Sequence, residues 1–110
     1  LEKLPPASLA RIFVLYPDPW PKKRHHDRRI VNADTLKQFH ALLKPGGDFL
    51  FASDIDDYVE WTLRECREHG GLELVGNSAE PFENWLQTRY EAKAKREGRE
   101  TRYLAFLKRG

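Results

Sequence analysis

The sequence contains no methionine and only one cysteine, Cys66. A lone thiol cannot close an internal disulfide, so the disulfide-stapled secreted class is excluded and a reducing cytoplasm is the expected compartment. A reading frame normally opens on methionine, so the absence of that residue throughout predicts a piece of a longer protein or a processed form. No apolar run exceeds strand length, which leaves nothing to serve as a membrane-spanning helix. The opening stretch LEKLPPASLA lacks the charged-then-apolar order of a secretory signal. Internal repeats and low-complexity tracts are missing as well.

What remains is a chain of 110 residues, enough for one domain with a single modest core. Its net charge is only +2, but that charge is unevenly placed. Lys22, Lys23, Arg24, Arg28 and Arg29 against Asp27 concentrate +4 in one loop, and the rest of the chain carries −2. A local basic cluster on a slightly acidic body points to a polyanion bound at one place. His25 and His26, in the same run, add charge at mildly acidic pH.

Around that loop, helical and strand patterns alternate. ARIFVLY (10–16) is β-branched and aromatic, and predicts a strand buried on both faces. NADTLKQFHALLKPGG predicts a helix opened by Asn32 or Asp34, carrying Leu36, Phe39, Leu42 and Leu43, and stopped at Lys44-Pro45-Gly46-Gly47. DFLFASD (48–54) predicts a second strand. Asp54 or Asp56 then opens a helix with Val59, Leu63 and Cys66 on one side, closed by Gly70-Gly71. LELVG (72–76) predicts a third strand, NSAEPFENW (77–85) a loop, TRYEAKAKREG a short charged helix, and TRYLAFLK (101–108) a last strand. This order predicts an α/β domain over residues 1–110, with a mostly parallel, doubly wound sheet.

In such sheets ligands collect beyond the carboxyl ends of the strands. Two predicted strands end there in an acid, Asp18 and Asp54. Asp54 reads equally as a helix N-cap, whereas Asp18 precedes Pro19 and is a poor cap. Tyr16, Asp18 and Trp20 each precede a proline, which presets the backbone away from helix. The Trp20 ring either stacks on a base or packs. KKRHHDRR on its own reads as a solvated loop or a localisation signal; its place beside two carboxylates favours a phosphate-binding turn with salt-dependent affinity. Adjacent His25 and His26 seldom face one ion, and no cysteine or carboxylate lies at ligand spacing, so no metal is expected. Thr88 and Glu91 in TRYE have the spacing of a capping box.

Taken together, PDPWPKKRHHDRR, LKPGG, ASD and TRYE, in that order, resemble the tRNA (guanine-N7)-methyltransferase family. The resemblance spans nearly the whole chain. It implies the C-terminal half of a class I, Rossmann-like methyltransferase sheet, with three parallel strands plus a last antiparallel strand and helices on the faces. It further implies methyl transfer from S-adenosylmethionine to N7 of a guanine in the tRNA variable loop. By matched position Asp18 is the catalytic carboxylate next to the cofactor. Lys22, Asp54, Thr88, Arg89, Tyr90 and Glu91 match substrate contacts, and Lys23, Arg24, His25, His26, Arg28 and Arg29 match the RNA-contacting segment.

The chain departs from that family in having no G-x-G pattern, and hence no glycine-rich cofactor turn. The expectation is that the N-terminal cofactor-binding half is absent and that the isolated chain has little or no activity. Residues 10–16 would then form an apolar sheet edge that pairs with another copy or is covered by LEKLPP. The competing readings are a non-catalytic RNA-binding module, in which the acids are caps, and a scaffold fragment whose basic loop is incidental.

Overall fold

A computed structural model describes residues 5–79 and 100–108. The elements are β1 (Leu9–Leu15), a 3-10 helix (Lys23–Arg28), α1 (Ala33–Leu42), β2 (Leu43–Ser53), α2 (Asp56–His69), β3 (Leu72–Ser78) and β4 (Arg102–Lys108). They form one four-stranded sheet in the order β1-β2-β4-β3. β1 runs parallel to β2, and β4 runs antiparallel to both β2 and β3. The expected α/β fold, with three strands in one direction and the last against them, is the one observed.

Alternation along the strands sorts the sheet into two faces. Val14, Phe49, Phe51, Leu104 and Phe106 point to one face and join Leu36 and Phe39 of α1 with Tyr58, Val59 and Cys66 of α2 in a single core. Burial of each large side chain contributes about 1.5–3 kcal/mol. That matters for α1, whose 10 residues are too few to be helical alone and are held by their packed face. Asn32 is its N-cap: Asn32 Oδ1 accepts from Thr35 N at 3.0 Å, and Thr35 Oγ1 accepts from Asn32 N at 3.0 Å. At the other end of α1, buried Lys108 of β4 donates to the carbonyls of His40 (2.6 Å) and Leu43 (2.8 Å), a cation on the negative end of the helix.

Two expectations are corrected. β1 is not buried on both faces: Phe13 is 48% exposed and Val14 alone in the strand is buried, because among the described residues β1 has a single strand neighbour. The strand expected from residue 48 starts at Leu43 instead. Leu9 pairs with Leu43 and Arg11 with Asp48, so residues 44–47 bulge out opposite Ala10 within a continuing strand. Gly46 takes φ +82° in that bulge, and a Cβ on Gly47 would sit 2.9 Å from the Ala10 carbonyl oxygen. Lys44-Pro45-Gly46-Gly47, expected to stop the helix, instead form this bulge inside β2, and α1 ends before them at Leu42. α2 ends as expected on Gly70, in the left-handed conformation at φ 80°.

Candidate active site and nucleic-acid interface

The sheet brings the two acids to one rim. Leu15 and Ala52 are the last paired residues of parallel β1 and β2, and Tyr16 N donates to Ala52 O at 2.8 Å just beyond them. Asp18 and Asp54 follow these two adjacent strands at that same end. Antiparallel β4 begins here, with Arg102 opposite Ser53, and β3 ends here, with Ser78 opposite Tyr103. Tyr16 reaches along the rim, its hydroxyl 3.0 Å from Thr101 Oγ1. The substrate contacts expected at Thr88, Arg89, Tyr90 and Glu91 lie outside the described residues, although the described flanks of that segment, Ala79 and Glu100, stand next to the rim strands.

Asp54 is not the helix cap. The N-cap of α2 is Ile55, whose N–H is taken by Ser53 Oγ at 3.1 Å, and Asp56 and Asp57 fall in the first turn, where their charge suits the helix dipole. Asp18 is exposed on a loop whose backbone is more constrained than the prolines alone imply. Tyr16 (φ 49°) and Trp20 (φ 41°) are left-handed, not extended. Each such residue costs about 1–3 kcal/mol and persists only where its surroundings fix it. Tyr16 is fixed by Ala52 and Thr101. Trp20 is packed under the Arg28 guanidinium (5.2 Å to the ring centre) and against the edge of His25 (5.7 Å).

The basic run folds into the 3-10 helix, started by His25 N donating to Lys22 O at 2.9 Å. Lys22, Lys23, Arg24 and Arg28 are exposed, while His25 and His26 are half-buried. His26 lies 5.2 Å from the Trp61 ring and within 3.2 Å of Pro21 O through Nε2. A cleft of about 400 Å³ beside the turn is lined by Lys23, His26, Asp57, Glu60, Trp61 and Arg64. A larger cavity, about 650 Å³, opens between α2 and β3 around Leu63, Cys66 and Leu72, and no rim residue lines it. Burial pushes the Cys66 thiol up to about 12, so it stays protonated and is no nucleophile. Among the described residues, no group of three or more His, Cys, Asp or Glu is placed to hold a metal ion.

Arg29 breaks the pattern of the run. The RNA contact expected for it does not fit the structure, since Arg29 is 1% exposed and turned inward. Its Nη2 donates to Asp57 Oδ2 at 2.6 Å and its Nε to Pro19 O at 2.7 Å. Its guanidinium lies over the rings of Tyr58 (4.7 Å) and Trp61 (5.0 Å). The hydrogen bond from Arg29 holds the Asp57 carboxyl below its ordinary range, and burial raises the Tyr58 hydroxyl above its own. Sequence reasoning missed Asp57, Tyr58, Trp61 and Thr101. Asp57 and Tyr58 each lie about one turn before Trp61 on α2, a spacing that reads equally as a helix face.

A family model described as "Putative methyltransferase" matches residues 1–104. The chain belongs to this methyltransferase family. It is 56% identical to a tRNA (guanine-N(7)-)-methyltransferase of Agrobacterium fabrum over 99% of the chain and 49% of that relative. With the enzyme of the same name from Rhizobium johnstonii it shares 55% identity over 98% of the chain and 48% of the relative. The chain thus spans about half the length of these curated relatives. Among solved structures, the 16S rRNA methyltransferase KamB superposes with a TM-score of 0.61 at 18% identity, covering 96% of this chain and 58% of that one. At that identity the likeness bears on fold alone, and it agrees with the methyltransferase sheet expected from the sequence.

Proposed function

We propose that this chain is the substrate-facing part of a cytoplasmic tRNA (guanine-N7)-methyltransferase, the C-terminal part of a domain completed elsewhere. The observation that carries the reading is that Asp18 and Asp54 both follow the paired ends of parallel β1 and β2 at the same end of the sheet, with a turn of exposed Lys22, Lys23, Arg24 and Arg28 directly after Asp18. The capping of α2 by Ile55 supports it over the non-catalytic alternative, in which Asp54 would be the cap.

The methyl donor is S-adenosylmethionine, which when bound supplies an electrophilic methyl group on a cationic sulfonium. A rim bearing two carboxylates suits a neighbouring cation, and the glycine turn for the rest of such a ligand is not in this sequence. Guanine N7 is an in-plane lone pair carrying no proton, so the reaction asks for alignment more than for a strong base. Alkylation leaves positive charge on the purine. Asp18, held in place by the strained loop on either side, stabilises that charge or grips the N1–H and N2–H₂ edge of the base. Lys22, Asp54 and the segment Thr88 to Glu91 complete the base site. Lys23, Arg24, His25, His26 and Arg28 follow the tRNA backbone.

Asp18→Asn in the intact enzyme is expected to lower turnover by about 10²-fold while tRNA affinity stays within a few-fold. The test is single-turnover methylation of tRNA alongside filter binding. Unchanged turnover would remove Asp18 from the chemistry.

A further inference from the structure

Arg29 closes the most basic run in the sequence, yet it is buried and its two hydrogen-bonding arms reach different elements. Nε holds the carbonyl of Pro19, the residue after Asp18. Nη2 holds Asp57 in the first turn of α2, three residues after Asp54. Its flank is pinned as well. Asn32 Nδ2 donates to Arg29 O at 2.8 Å, and Trp61 Nε1 donates to Val31 O at 2.6 Å. The two rings under the guanidinium both come from α2.

A planar fork suits this place because it serves two acceptors in fixed directions at once, which a lysine ammonium on a flexible stem does not. The loop it holds needs such a restraint. Tyr16 and Trp20 flank Asp18 in left-handed backbone, and both precede proline, which favours extended backbone instead. Without a tether at Pro19 the strain has an obvious release, and Asp18 would move with it.

We propose that Arg29 is a positioning residue, tying the Asp18 loop to the first turn of α2 so that Asp18 and Asp54 keep a fixed relation, and that it makes no contact with RNA. The functional half of this inference rests on the reading of Asp18 and Asp54 as the reaction-centre acids.

The test uses the 110-residue chain with Arg29→Met, Arg29→Lys and Asp57→Ala, and Arg28→Ala for comparison. Amide exchange is followed at the hydrogen-bonded amides that bracket the loop, Tyr16 (to Ala52 O) and His25 (to Lys22 O), and at Phe49 and Phe51 in the central strand. Loss of one charged hydrogen bond is expected to speed exchange at the loop amides by about tenfold or more while the strand amides stay within about twofold. Arg29→Lys, which keeps the charge but not the fork, is expected not to rescue. Should Arg29→Met fail to fold, Asp57→Ala cuts the α2 arm at an exposed residue and gives the same comparison. In tRNA binding against salt, Arg29→Met is expected to leave the slope of log affinity unchanged, and Arg28→Ala to reduce it by about one. The proposal is overturned if loop exchange is unaltered in the Lys and Ala variants, or if Arg29→Met lowers the slope as Arg28→Ala does. A chain that binds no tRNA refutes the RNA reading, and the exchange comparison then decides the positioning role alone.

Discussion

Asp57 and Arg29 share one ion pair in two different solvents: the arginine side chain is 1% exposed and the aspartate 66%. The burial cost therefore falls on the arginine, and water screens the carboxylate, so the pair stabilises the fold only modestly. Its pH dependence has a definite sign. A carboxyl whose folded pKa lies below its ordinary 3.8 contributes stability that is present above that value and is lost as pH falls through the lower folded one. The gap in urea midpoint between the unaltered chain and Asp57→Asn is expected to be full at pH 7 and to close below about pH 4. A gap that persists unchanged into acid would show that Asp57 acts through packing and not through charge. At this scale the sequence was legible where chemistry is local. The alternation of proline with Tyr16, Asp18 and Trp20 pointed to a fixed loop, and the two strand-ending acids pointed to a shared rim. The burial of Arg29 is not legible in the sequence, because a run of like charges looks uniformly solvated. What distinguishes it, an acid 28 positions away and two rings of α2, leaves no mark nearby in the chain.

Between elements, caps and turns decide where each segment starts. Both Asn32 and Asp34 are plausible openers of α1 by residue type, but only Asn32 exchanges hydrogen bonds with Thr35 in a reciprocal box. Asn32→Ala is expected to cost about 1 kcal/mol by thermal or urea unfolding, more than a comparable truncation of Asp34, whose first-turn charge is worth about 0.5 kcal/mol. Equal losses at the two positions would contradict the assigned cap. Apolar spacing is enough to find α1, α2 and the four described strands, but not the 3-10 helix over Lys23–Arg28, which buries no residue and carries no apolar pattern. It failed at the junction of α1 and β2, because Leu43 fits the last turn of a helix and the first residue of a strand equally well. The pairing of Leu9 with Leu43 settles it, and that partner is remote in the chain. The start of α2 was displaced for a related reason: acids favour caps by type, but Ser53 Oγ already satisfies the Ile55 N–H.

For the molecule as a whole, the edge strand and the span of the match bear on the same question. The chain covers about half the length of its curated relatives, and β1, outermost in the sheet, presents Phe13 at 48% exposure. Arg11 partly guards this edge, bound to Asp48 through both side-chain oxygens at 2.8 and 3.0 Å and lying 5.8 Å from the Phe13 ring. Light scattering of the purified chain is expected to show self-association that Phe13→Lys abolishes; a clean monomer with freely exchanging β1 amides would mean the edge needs no partner. The most direct test of the central claim is to map the binding of tRNA onto the isotope-labelled chain by chemical shift. Perturbations are expected at Asp18, Lys22 to Arg28 and Asp54, with the α2–β3 cavity around Leu72 silent. Shifts confined to that cavity or to the outer edge of β1, with the carboxylate rim unmoved, would contradict the account.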